Sequence, residues 1–527
     1  YITVVRSSGS TVGGLFAQNV YNETAGPGGA ALVPDAPQAL TYVPAPGPVA
    51  EIVVPEGHAP AVDGQQFWPH LVELYIPPGT PPGAYTGTWA GLPVALTVWQ
   101  HTLPANLNFH VALNSYGRVH GMYGVNDGES DAALAVERAY HRIAHRYRCT
   151  WQPLGYGHGG TQDWGAGPLV TADGGLDWTN FERRWGSYLD GSAFADLPRA
   201  GVPLAYVYLT LAEHWPTPMT AYQWQPTTTD WPDSLIEHAL GAPPIAEAFP
   251  PDYAQRFEDV TTQIAQHTVD QGWQATTFHG YLNDKYNYKD PAQGGRGVSW
   301  WLLDEPAHRD DWLALKWYGD LFRAGHQKVP GAPLVWRADV SRPQWQRDYL
   351  DSSMDLAVFG GEYFTYQRRM SDWLRDHNAV TWVYGTANPP GQSNLTLIGW
   401  CLRAWLAGAD GVVPWNSIGN PGSYNQPDET GLMLPGTPVG VDGPLPSLRL
   451  LAFLAGQQEV ERLALLAAQR GWTREQMAQA LGSVLQLEVA TESRFAEDAG
   501  TFRFDQLTPA QVERLRQVVA AELERTP

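Results

Sequence analysis

The sequence has few cysteines and no long apolar runs, and these two features exclude a disulfide framework and a transmembrane helix. Cys149 and Cys401 are the two cysteines in 527 residues, which is too few for a disulfide framework. Because Cys401 lies in an apolar helical stretch, we expect buried free thiols rather than a disulfide. No apolar run reaches the length needed to cross a bilayer, so no transmembrane helix is expected.

Positive charge is also scarce. The chain has 33 Lys and Arg against 54 Asp and Glu, a formal net charge of -21 at pH 7. Only four of the basic residues are lysines: Lys285, Lys289, Lys316 and Lys328. Nucleic acids and anionic membranes both require a basic surface, so neither is expected as a partner.

Signatures of cofactor and metal enzymes are incomplete. The stretch "GYGHGG" (155–160) has the glycine spacing of a dinucleotide loop, but "TQDWGAG" follows where a helix should begin. The histidines have no paired spacing suited to zinc, and there is no nucleophile-elbow serine. We therefore expect no cofactor and no metal.

Apolar and aromatic residues are abundant, at 43% and 12% of the chain, so the protein is expected to fold. Its length predicts two or three domains. Residues 1–105 are rich in Pro and Gly, with short strand patterns in "LVELYI", "AYTGTWA" and "PVALTVW" and a turn in "PPGTPPG". This pattern predicts an N-terminal antiparallel β-sandwich.

Residues 106–444 alternate strand patterns with amphipathic helices, such as 131–147, 253–271 and 310–324, which predicts a (β/α)8 TIM-like barrel. The nine strand candidates are "FHVALN", "CTWQPL", "PLAYVYL", "QATTFHG", "SWWLL", "PLVWRAD", "DLAVFG", "VTWVYG" and "GVVPW". Nine exceeds eight by one, and we expect "CTWQPL" or "GVVPW" to lie outside the barrel. A long loop, 210–252, carries Trp215, Trp224 and Trp231 and is interpreted as a binding wall.

Residues 445–527 form the third predicted region, a helical C-terminal tail. Two of its helices are expected to begin with capping boxes, Thr473 with Gln476 and Thr508 with Gln511. Pro509 fits the first turn of the second of these helices.

Two adjacent acids end the most apolar of the strand candidates, in "SWWLLDEPAH" (299–308). If "SWWLL" is a barrel strand, Asp304 and Glu305 lie at its carboxyl end, where barrel enzymes build their active sites. Pro306 cannot donate to a sheet and would end the strand. The alternative is that the acids cap the next helix or pair with Arg309.

This stretch resembles the Asp-Glu-Pro motif of glycoside hydrolase family 123 and of the related domain of unknown function family 4091. The resemblance covers roughly residues 70–460, including "YIPPGTPPGAYTGTWAGLPVALTVWQHTLP", "VALNSYG", "TWVYGTANPP", "GADGVVPWN" and "GPLPSLRLLAFLAGQQEVERL". The chain departs from the family at Gln457, Gln458 and Glu459, where an acidic, Tyr-containing run is usual.

The resemblance implies a retaining β-N-acetylgalactosaminidase whose nucleophile is the substrate's own 2-acetamido group. Glu305 would protonate the leaving oxygen and then deprotonate water. Asp304 would orient the acetamido nitrogen and stabilise the positive oxazolinium intermediate. An ionised Asp304 would also raise the pKa of Glu305 and keep that acid protonated.

Five further residues at predicted strand ends are candidates for binding sugar. Trp415 is the candidate platform for a pyranose ring, with core packing as the alternative. Tyr384 is expected to bond the acetamido carbonyl unless it is a core tyrosine. Asn114, His279 and Glu362 occupy similar rim positions, and a structural role is the stronger interpretation for His279.

Two rival functions stay open. One is a glycosidase acting on sugars without the acetamido group, using Glu305 with Glu362 in "VFGGEYF" as the nucleophile. The other is a non-catalytic carbohydrate-binding protein, which the intact Asp-Glu pair disfavours. An oligosaccharide or polysaccharide is the expected partner in each case. The chain begins at Tyr1, which a removed leader or a truncation would explain, and we expect a secreted or extracytoplasmic protein.

Overall fold

The computed structural model describes most of the chain. The described residues are 2–5, 48–58, 70–155, 162–211, 244–249, 251–283, 301–306, 308–340, 346, 348–360, 377, 379–387, 390, 393–425, 428–485, 487–490, 501–504 and 507–525. The predicted binding wall with its three tryptophans, and Glu362, lie outside them.

Two separate antiparallel pairs form the described N-terminal region: β1 (Ile2–Val5) with β2 (Pro48–Ile52), and β3 (Gly83–Trp89) with β4 (Leu92–Val98). The predicted turn exists, since the Thr80 amide donates to the Pro77 carbonyl. The stretch 71–76 has no strand, so that element was mispredicted. Its residues are apolar without strict alternation, which makes the strand signal weak. The β-sandwich stays a prediction.

Eight parallel strands form the central sheet, which is nearly closed into a barrel. They are β5 (His110–Tyr116), β6 (Thr150–Leu154), β9 (Tyr206–Leu211), β10 (Thr277–Leu282), β11 (Leu334–Val340), β12 (Leu356–Phe359), β13 (Val380–Gly385) and β14 (Gly411–Pro414). A small hairpin, β7 (Leu169–Val170) with β8 (Leu176–Asp177), follows β6. Hydrogen-bonded neighbours follow the order β6-β5-β14-β13-β12-β11-β10-β9, and the edge strands β6 and β9 contact each other. The TIM-like barrel is confirmed.

Helices surround this sheet: α1 (Asp131–Arg146), α2 (Thr179–Leu189), α3 (Ile245–Ala248), α4 (Pro251–Asp270), α5 (Arg309–His326) and α6 (Leu395–Leu406). The three helices predicted from amphipathic spacing are α1, α4 and α5, within a few residues. Within the described residues, no helix is both apolar and long enough to cross a membrane.

The surplus strand candidate is "SWWLL", and the prediction that "CTWQPL" or "GVVPW" lies outside the barrel was wrong. These two stretches supply β6 and β14. In the described part of "SWWLL", 301–303, Leu302 forms a β-bridge, but none of the three residues belongs to one of the eight barrel strands. Trp301 and Leu303 are nonetheless fully buried in the hydrophobic core. A short apolar run does not distinguish a strand from another buried segment.

The two faces of each barrel strand have different surroundings. On β11, Trp336, Ala338 and Val340 belong to the large core shared with the helices, whereas Val335 belongs to a smaller cluster inside the barrel. Side chains alternate along a strand, so Arg337 and Asp339 point to the inside with Val335. Charged residues therefore occupy the barrel interior.

After β14 the chain forms β15 (Met433–Pro435), β16 (Pro444–Pro446), α7 (Leu448–Arg470), α8 (Arg474–Leu485), β17 (Leu487–Ala490), β18 (Thr501–Phe504) and α9 (Pro509–Glu524). Both predicted capping boxes form, in front of α8 and α9. The tail is mainly helical but includes the unpredicted antiparallel pair β17–β18. Its helices share the barrel's hydrophobic core, and the two boundaries between the three predicted domains stay predictions.

Both cysteines are buried free thiols, as expected. Several histidines are also buried, and they make stability depend on pH. Burial lowers the pKa of His110, inside the barrel, to about 4, with a smaller contribution from Arg199. Burial likewise lowers the pKa of His145 to about 3. Their stabilising contribution is present above the unfolded value of 6.5 and is lost as pH falls towards the folded value.

We expect the free energy of unfolding to fall between pH 6.5 and pH 5 by roughly 2 kcal/mol for each such histidine, because one pKa unit is worth about 1.4 kcal/mol. Urea unfolding at the two pH values measures this loss. His110→Gln should lose less between them than the parent protein, since it lacks one titrating group. An equal loss in both proteins would show that His110 does not contribute.

Candidate active site

The Asp304–Glu305 pair lies at the carboxyl end of the barrel although its segment is not a barrel strand. The Glu305 amide donates to the Asp339 carbonyl at 3.1 Å, which attaches the pair to the end of β11. Asp304 is buried and Glu305 is half-buried. This end of a β/α barrel is where the loops build active sites.

The segment is held from the other side by Asp311, in the first turn of α5. One Asp311 carboxylate oxygen accepts from the Leu302 amide at 2.9 Å and the other from the His308 amide at 2.7 Å. His308 and Asp311 form the capping box of α5, which disfavours the alternative that the acid pair caps this helix.

Glu305 has an uncommon backbone conformation, with φ at 62°. Left-handed backbone costs a residue with a side chain on the order of 1–2 kcal/mol. In a regular strand, adjacent side chains point to opposite faces. The left-handed turn breaks this alternation at Glu305. Strained backbone at such a place is typical of functional sites.

Glu305 contacts Tyr384, which lies near the end of β13, and the negative charge of Asp304 also acts on this tyrosine. Its hydroxyl donates to Glu305 Oε1. Burial, the negative charge of Glu305 with this hydrogen bond, and the charges of Asp304 and Asp339 hold the pKa of Tyr384 well above its usual value. Tyr384 therefore stays protonated and donates. Its bond to Glu305 differs from its predicted role at the acetamido carbonyl, which stays a prediction.

A buried charged pair, which the sequence interpretation missed, lies below the acids. Arg337 forms a bidentate ion pair with Asp339, with nitrogen–oxygen distances of 2.6 and 2.7 Å. The Arg337 Nη1 also donates to the Tyr208 hydroxyl at 2.7 Å. The available signal was the pattern of two charges on alternate positions of the apolar stretch "PLVWRADV", since buried charges usually have a role or a partner.

Asn114 and His279 have different surroundings. Asn114 is buried near the end of β5, where its Oδ1 accepts from the Tyr208 hydroxyl at 2.9 Å. His279 lies in the middle of β10 and is 0% exposed, so its predicted rim position was wrong. Its ring is 4.4 Å from that of Tyr208, and burial, followed by the charge of Arg337, lowers its pKa well below the usual value. Strand boundaries are the weakest part of a sequence prediction, and a shift of two residues moved this histidine inside.

Trp415 directly follows β14, at the carboxyl end of the barrel. Its amide donates to the Gly385 carbonyl and its indole Nε1 to Thr386 Oγ1, both at 3.0 Å. The half-buried indole lies 6.1 Å, centroid to centroid, from the ring of Tyr116, which ends β5 and is 51% exposed. Two partly exposed rings thus lie side by side, an arrangement that suits stacking on a sugar.

We expect Trp415→Ala to weaken substrate binding and turnover while the fold survives, because a rim ring stacks on substrate. The matched control is Trp400→Ala, since Trp400 is buried against Phe453. Truncating a core tryptophan costs roughly 3–5 kcal/mol of stability. Thermal melting and steady-state kinetics on both variants separate the two roles. A large loss of melting temperature with unchanged kinetics in Trp415→Ala would make it a core residue.

The described part of the chain holds no group of three His, Cys, Asp or Glu side chains arranged for a metal ion. The groups available for chemistry there are the Asp304 and Glu305 carboxyls, the Tyr384 hydroxyl and the Arg337–Asp339 pair. Such a set can transfer a proton, stabilise positive charge and bind hydroxyl groups.

No family model and no curated protein matches the chain. Among solved structures, it is similar to a family 123 glycoside hydrolase from Clostridium perfringens, with 12% identity and a TM-score of 0.47, over 85% of this chain and 76% of that one. A β-galactosidase from the psychrophilic Marinomonas ef1 has 13% identity and a TM-score of 0.37, over 70% and 61%. A hyperthermophilic β-glucosidase mutant has 9% identity and a TM-score of 0.39, over 67% and 100%.

Proposed function

We propose that the protein is a retaining glycoside hydrolase that cleaves β-linked N-acetylgalactosamine with the substrate's acetamido group as nucleophile. The observation that carries the proposal is the hydrogen bond from Tyr384 to Glu305, next in sequence to the buried Asp304. Glu305 is half-buried and accepts the Tyr384 hydroxyl, and the adjacent Asp304 is buried beside it. Adjacent acids with different exposure suit two different roles in one reaction.

In the first step, Glu305 gives its proton to the glycosidic oxygen as the bond from that oxygen to the anomeric carbon breaks. The acetamido carbonyl oxygen attacks the anomeric carbon from the opposite face, and an oxazolinium ion forms. Asp304 accepts the acetamido N–H and lies beside the positive charge. Its burial supports this role, since a buried carboxylate acts more strongly on a nearby charge than an exposed one.

In the second step, Glu305 takes a proton from water while the water oxygen attacks the anomeric carbon. The oxazolinium ring opens, the acetamido group is restored and the configuration is retained. Tyr384 assists because its hydroxyl donates to Glu305 while that residue is a carboxylate. The hydrogen bond from the Glu305 backbone amide to the Asp339 carbonyl limits movement of the acid between the two steps.

A panel of aryl glycosides with and without the 2-acetamido group tests the proposal. The protein should hydrolyse the 2-acetamido galactoside faster than the matching galactoside, and the first sugar released should have the β configuration. Activity on galactosides or glucosides alone would favour the rival that uses Glu305 with Glu362. Sugar binding without hydrolysis of any member would favour the carbohydrate-binding rival.

A further inference from the structure

Five polar residues cross the barrel interior beneath the acid pair, and we name them the polar floor: Asn114, Gln152, Tyr208, Arg337 and Asp339. A chain of hydrogen bonds joins four of them. The Tyr208 hydroxyl donates to Asn114 at 2.9 Å and accepts from Arg337 at 2.7 Å, and Arg337 binds both oxygens of Asp339. The last residue of this hydrogen-bonded series is Asp339, whose backbone carbonyl accepts from the Glu305 amide.

The charged pair of the polar floor is fixed in position. The Arg337 guanidinium is fully buried and lies over the rings of Tyr208, Tyr281 and Trp382, at 4.9, 4.6 and 5.8 Å from their centroids. Replacing a buried ion pair by apolar residues often leaves stability unchanged or improves it. Fold stability alone is therefore a weak reason for this pair to occupy the barrel interior.

Asp339 remains able to bind a ligand. Each of its two oxygens accepts one bond from Arg337, which leaves further acceptor sites on both. Its side chain is 11% exposed, whereas that of Arg337 is 0% exposed, so the carboxylate is the open end of the pair. Two oxygens of one carboxylate match the spacing of two neighbouring hydroxyl groups on a sugar ring.

Gln152 is the second and independent observation. It is 2% exposed, and among the described residues neither its amide nitrogen nor its amide oxygen has a hydrogen-bond partner. It pairs in register with Asn114 and shares its face of β6 with Leu154, which contacts Tyr208 and Tyr281 inside the barrel. A buried amide without partners is costly, so it calls for a ligand or water.

We propose that the polar floor binds the ring hydroxyls of the sugar at the cleavage point, and this rests on the proposed function. Asp339 accepts hydrogen bonds from the 3- and 4-hydroxyls, and the Gln152 amide bonds a further hydroxyl of the same ring. The 2-acetamido group remains with Asp304. Asp339 and Gln152 are thus specificity-determining residues, whereas Arg337 and Tyr208 position Asp339.

The first test is Gln152→Met, which keeps the length of the side chain but removes the amide. Because this amide has no partner in the free protein, the melting temperature should be unchanged or higher. The affinity for N-acetylgalactosamine, measured by calorimetry, should fall by about 10-fold, the order expected for one good hydrogen bond. Unchanged affinity would overturn the role of Gln152, and a lower melting temperature would make the residue structural.

The second test is Asp339→Asn, measured on an aryl 2-acetamido galactoside and on its 3-deoxy and 4-deoxy analogues. On the parent substrate, kcat/KM should fall by roughly 10–10²-fold for each hydroxyl bound, since hydrogen bonds to charged groups are the strong ones. On the analogues the additional loss should be smaller, because the hydroxyl in question is already missing. Equal losses on all three substrates would overturn the recognition role.

The control is Glu461→Gln. Glu461 is also a fully buried carboxylate, but it binds Asn108 at the opposite end of the barrel, before β5 begins. The Glu461→Gln substitution should lower the melting temperature without changing the ratio of kcat/KM between the substrates. If the parent protein neither binds nor cleaves any of these sugars, the proposed function itself fails. If the parent protein binds or cleaves these sugars but Asp339→Asn leaves the ratios of kcat/KM between the substrates unchanged, the polar floor proposal alone fails.

Discussion

Glu305→Gln should lower the turnover of an oligosaccharide by about 10²–10⁴-fold, the usual contribution of general acid–base catalysis. The amide has nearly the same shape as the acid, so it still accepts the Tyr384 hydroxyl, but it has no proton to transfer. Substrate binding should therefore persist. Steady-state kinetics with an oligosaccharide, together with calorimetric binding to the variant, measure both quantities.

Activated aryl glycosides serve as the internal control for this variant. A good leaving group departs without a proton. The rate of the first chemical step should therefore fall much less with an activated aryl glycoside than with an oligosaccharide. The second step should still slow, because Glu305 no longer accepts a proton from water. Unchanged hydrolysis of an oligosaccharide by Glu305→Gln would remove this residue from the mechanism.

A thiazoline mimic of the bicyclic oxazoline derived from N-acetylgalactosamine should inhibit the protein strongly. Mimics of high-energy species typically bind about 10²–10⁸-fold tighter than substrate. The adjacent Asp304 and Glu305 motivate this expectation, because they suit an acetamido nucleophile and require no protein carboxylate to attack carbon. Inhibition constants for the thiazoline and for N-acetylgalactosamine should be measured side by side.

Asp304→Asn should lose both turnover and this tight inhibition, since a neutral amide cannot compensate the positive charge of the oxazolinium ion. Glu362→Gln should leave the rate of the first chemical step largely unchanged. The rival mechanism predicts the reverse, with no thiazoline inhibition and a covalent 2-fluoroglycosyl adduct on Glu362. Mass spectrometry after incubation with the 2-fluoro sugar decides between them, and recovery of that adduct would overturn the substrate-assisted mechanism.

Local sequence pattern predicted much of the barrel correctly. The strands β5, β9, β10, β11, β12 and β13 coincide with predicted apolar stretches, and the helices α1, α4 and α5 with predicted amphipathic ones. Both C-terminal capping boxes formed because a cap depends on side chains only three residues apart. Such features depend on nearest neighbours along the chain, which is why a single sequence specifies them.

The mispredictions share a different cause. The run "SWWLL" has the composition of a strand, but barrel closure uses eight strands and the described part of this run packs elsewhere in the core. His279 is inside the barrel because the start of β10 is set by pairing with β9 and β11, which composition does not encode. Long-range pairing therefore overrode local pattern at both places.

The acid pair itself was identifiable from the sequence, because two carboxylates directly after buried apolar residues are costly without a role. Its surroundings were not. Tyr384 meets Glu305 across 79 positions of chain, and Arg337 meets Tyr208 across 129. Contacts of this kind depend on where parallel strands end in space, and the left-handed backbone of Glu305 likewise belongs to the folded structure. Local chemistry thus determined which residues are reactive, and tertiary packing decided which of them act together.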